Sequence, residues 1–186
     1  MTVRDVLYEC ACILGDTSFA TDLKLHDELI NDETERKYKV MLSSFNAIVN
    51  EVAISYLAPS TNKPFDLRTI NTNLFEHVVK RIISVTDNNG KNIGYTNNDG
   101  VLTMNVAKGK ITYEYIPNDF SIDDNFVYEK MKIGKMAFAY GTAFEFCMRE
   151  GRVDEAVNWE SRYRQFTELK TMNGSKKLKA GNKWGL

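Results

Sequence analysis

Residues 87–117 read DNNGKNIGYTNNDGVLTMNVAKGKITYEYIP, three turn signals separated by short runs of β-branched and aromatic side chains. Asp87-Asn88-Asn89-Gly90 and Asn97-Asn98-Asp99-Gly100 end in the Asn-Gly and Asp-Gly pairs that supply positive φ for tight hairpins, and Lys108-Gly109 marks a third reversal. The runs at 92–96, 101–106 and 110–116 are strand-like. Just upstream, residues 76–86 are rich in β-branched side chains and suit a strand. The adjacent pairs Val78-Val79 and Ile82-Ile83 leave a helix open there. The pattern predicts a small antiparallel sheet over about 74–116, closed by Pro117.

On both sides of this insertion the period is helical. Val3, Val6, Leu7, Cys10, Ile13 and Leu14 form one stripe of a helix over about 2–14, ended by Gly15. Residues 17–31 are polar and turn-rich, a connector with one short turn around Leu23 and Leu25. Asp32, Glu33 and Glu35 supply the acids of a first turn, and Tyr38, Met41, Leu42, Phe45, Ile48, Val49, Val52, Tyr56 and Leu57 continue that helix to about 57. Pro59 and Pro64 stop it. After Pro117, acids and caps within 121–125 predict a third helix over about 126–150, apolar nearly all round in its second half. On that helix Gly134, Ala137 and Gly141 leave room for a close neighbour. Gly151 terminates it, and Ala156, Trp159, Tyr163, Phe166 and Leu169 mark a fourth helix over about 153–172. The fold class expected is mainly α: a bundle of about four helices with one inserted small antiparallel sheet, residues 1–172 forming a single domain. An extended basic tail follows at 173–186.

The composition narrows the chemistry. The chain has 186 residues, 24 Lys and Arg against 25 Asp and Glu, and a formal net charge of −1, which argues against gripping nucleic acid through overall charge. No apolar run approaches the roughly 20 residues of a membrane-spanning helix. The start Met1-Thr2-Val3-Arg4-Asp5 lacks the features of a signal peptide. Three cysteines, Cys10, Cys12 and Cys147, show no disulfide framework and read as reduced, mostly buried thiols. The two histidines, His26 and His77, have no second metal ligand at helical spacing.

No nucleophile, base and orienting group can be assembled from these residues, so no enzyme, no metal and no cofactor is expected. Asp119, Asp123 and Asp124 are read as helix-capping acids in preference to a cation site, and Asp32, Glu33 and Glu35 likewise. Asn88-Asn89-Gly90-Lys91 lacks the remainder of a phosphate loop. Cys147 is read as core rather than a reactive thiol, and Tyr128, Phe138, Tyr140, Phe144 and Phe146 as core or subunit contacts before a ligand pocket.

The C-terminal segment is different in kind. Five of the 24 bases lie within 170–186, which has no acid, leaving 19 bases against 25 acids elsewhere, a net of −6. Lys176, Lys177, Lys179 and Lys183, interleaved with Leu178, Trp184 and Leu186, suit a segment that orders on a partner, with Trp184 as an anchor. That partner is an acidic protein surface or DNA.

Taken in order, the segments resemble the head-to-tail adaptor family of tailed bacteriophages, also called connector, head-completion or tail tubular protein A-like proteins. The strand Thr112-Tyr113-Glu114-Tyr115-Ile116-Pro117 leads through an acidic loop to Asp124 and a helix containing Ala139-Tyr140-Gly141-Thr142-Ala143-Phe144-Glu145-Phe146. The turn Glu150-Gly151-Arg152 and the helix around Glu155-Ala156-Val157-Asn158-Trp159-Glu160-Ser161-Arg162-Tyr163 follow. The opening helix and the longer one from Asp32 also look like this family. The resemblance implies a structural virion protein at the head–tail junction, assembled in the host cytoplasm as a homo-oligomeric ring of about twelve copies below the portal. DNA would pass through its channel at ejection without sequence-specific binding, past an acidic body. The portal protein would be met by the tail residues Lys176, Lys177, Leu178, Lys179, Lys183, Trp184 and Leu186. A downstream tail or nozzle protein, or a neighbouring subunit, would be met by the hairpin tips Asn89, Gly90, Asn98, Asp99 and Gly100. The competing expectation is a small helical DNA-binding or regulatory module that uses the basic tail as its arm.

Overall fold

In the computed structural model, which describes residues 1–25, 32–126, 128 and 133–175 (of 168–175 the backbone alone), the helical stripes form helices where capping and burial agree. The first helix, α1 (Val3–Ile13), starts at a capping box: Thr2 N–H donates to Asp5 Oδ2 at 2.8 Å and Asp5 N–H to Thr2 Oγ1 at 3.4 Å. Its buried face is Val3, Val6, Leu7, Cys10 and Ala11. A second helix, α2 (Thr17–Leu25), occupies most of the predicted connector. Asp16 caps it by accepting the Phe19 N–H at 3.1 Å, and it buries Phe19, Ala20 and Leu23. Three apolar residues over two turns are too few for periodicity to reveal.

The long predicted helix is α3 (Asp32–Glu51), continued by a wider turn over Val52–Tyr56 in which the Leu57 N–H reaches back five residues to Val52 O at 2.7 Å. Lys80 Nζ donates to the carbonyls of Ala53 and Ile54 there, both at 2.7 Å. The last two helices are α4 (Lys135–Arg149) and α5 (Val153–Ser175). Gly141 sits where α4 is tightest: a Cβ there would lie 2.8 Å from Ile48 of α3 and 3.0 Å from the Tyr163 ring of α5.

The expected start of the third predicted helix, about 126, is corrected to Lys135. Residues 121–126 form turns and one bridge, Thr2 to Asn125, instead of helix, because their backbone pairs with the chain's beginning. Val3 N–H donates to Asp124 O at 3.0 Å, Arg4 N–H to Ile122 O at 2.9 Å, and Phe126 N–H to Met1 O at 3.1 Å. Asp123 holds Arg4 Nη2 at 2.7 Å and Asp124 accepts the Ser121 N–H at 2.6 Å. Of the acids in this loop, Asp123 binds Arg4 of α1 and Asp124 binds its own loop, and neither caps α4, whose N-cap Gly134 makes no side-chain bond.

The expected fold class is also corrected. Among the described residues, five helices and two three-stranded antiparallel sheets, 51% helix and 24% strand, make a mixed α/β fold, not a mainly α bundle with one small sheet. The first sheet has the order β1-β6-β3, from β1 (Ser60–Phe65), β3 (Val78–Thr86) and β6 (Gly109–Ile116). The second has the order β2-β5-β4, from β2 (Thr69–Asn71), β4 (Tyr95–Asn98) and β5 (Val101–Met104). No local pattern predicts β1 or β2: Pro59 and Pro64 interrupt β1 and its approach, and Thr69–Asn71 is too short to show an alternation. Pro64 in fact pairs with Lys110 on an edge strand, where a missing N–H costs no ladder bond. The doublets Val78-Val79 and Ile82-Ile83 are explained by register shifts in β3 between Val79 and Arg81 and between Ile82 and Ser84. Bulges break the period of two, which is why a helix stayed open.

The chain divides into two compact units, a helical one of Met1–Ile48 with the residues from Phe120 onward, and a β unit of Val49–Asp119. In the β unit, Ile111, Tyr113 and Tyr115 of central β6 share a core with Leu102 and Met104 of central β5, closed by Phe65, Phe75 and Val85. In the helical unit the departure and return points of the chain lie side by side. Asn46 Nδ2 donates to Phe120 O at 3.1 Å and Phe120 N–H to Asn46 Oδ1 at 2.8 Å. Around them Phe45 meets Phe126, Phe120 and Phe138 with ring centroids 5.4, 6.1 and 6.5 Å apart.

One ion pair joins the start of α3 to the end of α4. Arg36 grips Glu150 with both terminal nitrogens, at 2.8 and 3.0 Å, and this hydrogen bonding holds the Glu150 carboxyl below its ordinary range. A depressed carboxylate contributes stability above its unfolded pKa and loses it as pH falls through the folded value. Arg36→Gln is therefore expected to lower stability slightly at neutral pH, where the exposed guanidinium is screened by solvent. The difference from wild type should shrink as pH falls below the ordinary glutamate range, about 4.3. Urea unfolding of both proteins across that range checks it, and a constant difference would show that Glu150 is not responsible.

Candidate interaction surface

The two predicted hairpin tips form as the Asn-Gly and Asp-Gly chemistry requires, but they differ in kind. At the second, Asn98 pairs with Val101, so Asp99 (φ 50°) and Gly100 (φ 82°) make a two-residue turn with both residues left-handed. This tip is docked. Gly100 O accepts from Thr72 N–H at 2.7 Å and Thr72 Oγ1 at 2.9 Å, and a Cβ on Gly100 would lie 2.9 Å from the Asn73 amide. At the first tip Asp87 N–H donates to Lys91 O at 2.9 Å, enclosing the three residues Asn88, Asn89 and Gly90. Gly90 has φ 79°, and Asn88 through Gly90 are exposed. Of the predicted tip residues, Asn89, Gly90, Asn98 and Asp99 face solvent while Gly100 is partly covered.

Between β3 and the docked tip lies a groove of about 430 Å³, lined by Asn73, Phe75, His77, Arg81, Asn97 and Asn118 among others. The His77 ring stacks on Tyr115 with centroids 4.2 Å apart and planes 14° from parallel, and its buried Nδ1 has no hydrogen-bond partner among the described residues. Arg81 clasps Glu114 across the β3–β6 ladder at 2.8 and 2.7 Å, which raises the guanidinium pKa further. Burial pushes the phenols of Tyr113 and Tyr115 up, so both stay neutral. The groove thus offers amides, an imidazole and the outer edge of β3 over residues 78–82, the far end of that edge being bridged to Asn92 and Ile93, a surface for polar and main-chain contacts. Sequence reasoning did not find it, because its lining comes from three separated stretches, 72–82, 97–100 and 118, with no motif in any of them.

The remaining candidates separate cleanly. Cys10 and Cys147 are buried, Cys12 is exposed, and burial raises the pKa of both buried thiols. Tyr128, Phe138 and Phe146 are buried in the core, whereas Tyr140 lies at its margin against Trp159, 6.0 Å away and nearly parallel, with the Arg162 guanidinium 5.7 Å from both rings. Among the described residues no group of three or more His, Cys, Asp or Glu side chains could hold a metal ion, and no helix is long and apolar enough to cross a membrane. Residues 176–186, with Lys176, Lys177, Leu178, Lys179, Lys183, Trp184 and Leu186, lie outside the described residues, as does His26. Compared with protein-family models and with curated proteins, the chain matches none.

Proposed function

We propose that this chain is a structural, non-enzymatic component of a tailed-bacteriophage virion, a head-to-tail adaptor whose copies form a ring between portal and tail and continue the DNA channel. The observation that carries the reading is the order of the described chain: three helices, a unit built on two small sheets, then two helices, with departure and return joined through Asn46 and Phe120. A helical unit of this kind supplies a rigid body for ring contacts, and the β unit presents a solvent-facing tip and an open strand edge to a further component. The basic segment 176–186 then serves as the portal-binding arm.

Quantitative mass spectrometry of purified virions tests it. The expected result is a copy number equal to that of the portal, recovered with the head–tail junction. Absence from the particle would overturn the reading. Salt-dependent DNA binding by the free protein, lost on removal of 176–186, would then support the regulatory module in its place.

A further inference from the structure

We infer that Asn89 is a site of spontaneous covalent modification, its side-chain amide being converted in the folded protein to aspartate and isoaspartate through a cyclic imide formed with Gly90. The backbone nitrogen of Gly90 attacks Cγ of Asn89. The N–Cγ bond forms, the Cγ–Nδ2 bond breaks, and the proton of the Gly90 nitrogen leaves with the departing amide as ammonia. Water then opens the five-membered ring at either carbonyl. Water is the sole co-reactant.

Three features of the first hairpin tip favour the attack. The residue after the asparagine carries no side chain, and the space where its Cβ would stand is open, with nothing within 4 Å. Asn88, Asn89 and Gly90 are exposed, so the water needed for ring opening has access. The Gly90 N–H is held by a single bond, to Asp87 O at 3.0 Å. That bond lies inside the loop, so releasing it leaves the Asp87 to Lys91 closure and the Asp87 carboxylate bonds to the Asn89 and Lys91 N–H groups in place.

Of the asparagines in the β unit, only Asn89 precedes a glycine. Asn88, Asn92 and Asn97 are exposed but precede residues with side chains. Asp99-Gly100 has the right sequence for the analogous isomerisation, yet Gly100 is pressed against Asn73 and its carbonyl is held twice by Thr72. Asn173-Gly174 lies in the helical backbone of α5, whose conformation is not that of an exposed turn. Asparagine is among the residues that limit the chemical lifetime of proteins, and here the lability is focused on one turn. The isoaspartate product inserts a methylene into the main chain of a three-residue loop and places a second negative charge beside Asp87.

The native protein is incubated at mildly alkaline pH and sampled over days, then cleaved by trypsin. The peptides 82–91 and 92–108, released by cleavage after Arg81, Lys91 and Lys108, are followed by mass spectrometry, with isoaspartyl methyltransferase labelling to identify the isomer. Conversion at Asn89 is expected to run several-fold faster than at Asn88, Asn92 or Asn97 and to yield mainly isoaspartate. Asn89→Gln, which keeps the backbone bonds of the turn but would need a six-membered ring, is expected to abolish both signals. Conversion at Asn89 no faster than at the other three, or seen only after denaturation, would overturn the inference.

Discussion

Gly109→Ala is expected to lower the unfolding free energy by about 3 kcal/mol, the upper end of what overpacking a dense interior costs. The added methyl would stand 2.1 Å from Thr86 O and 2.8 Å from the Phe65 ring. The first of these is backbone, which cannot swing aside as a long side chain does. Gly109 opens β6 between its partners, opposite Phe65 of β1 and next to Lys110, which pairs with Thr86 of β3. Relief requires prying β6 from one neighbour or displacing Phe65 from the core it closes. Chemical denaturation followed by tyrosine fluorescence measures the loss, since Tyr113 and Tyr115 lie on the same strand. A midpoint equal to wild type would mean that the close approach at Gly109 does not constrain the sheet.

Phe45→Ala carries the largest expected cost in the helical unit, about 3–5 kcal/mol, the usual range for removing a fully buried phenylalanine. Phe45 is completely buried, and its ring touches the rings of Phe120, Phe126 and Phe138. Phe126 in turn packs edge-on against Phe138 at 4.6 Å. The cavity would therefore open among rings held on two different segments, the 120–126 loop and α4, which cannot collapse onto it together. Phe45→Leu keeps most of the volume and is expected to cost less than half as much. Urea unfolding of the two variants against wild type checks both the size and the ranking, and equal losses would show that ring contacts, not volume, govern the site.

Much of the secondary structure is written in local patterns. The stripe Val3, Val6, Leu7, Cys10 predicts α1 to within a residue, because a long amphipathic period and a cap agree. The hairpin glycines predict Gly90 and Gly100 at positive φ, because only backbone without a Cβ adopts that region at little cost. The close approach at Gly141 was legible for a related reason: small residues at helical spacing mark where another element can come near. The groove beside β3 was not legible, since Asn73, His77, Asn97 and Asn118 gain a shared surface only when two sheets close on one core.

The boundary between what local sequence specifies and what it leaves open runs through the acids at 119–124 and the prolines at 59 and 64. By itself the sequence determined the helix stripes, the turn chemistry and the presence of a β-rich insertion, all consequences of interactions within a few residues. Tertiary pairing decided the rest. Asp123 binds Arg4 of α1 and Asp124 its own loop, and neither caps the next helix, because residues 121–126 find hydrogen-bond partners at the distant N-terminus. Ser60–Phe65 is a strand because β6 offers it an edge on which a proline costs nothing. Each outcome depends on backbone groups far apart in the chain satisfying one another, and no local pattern encodes that pairing.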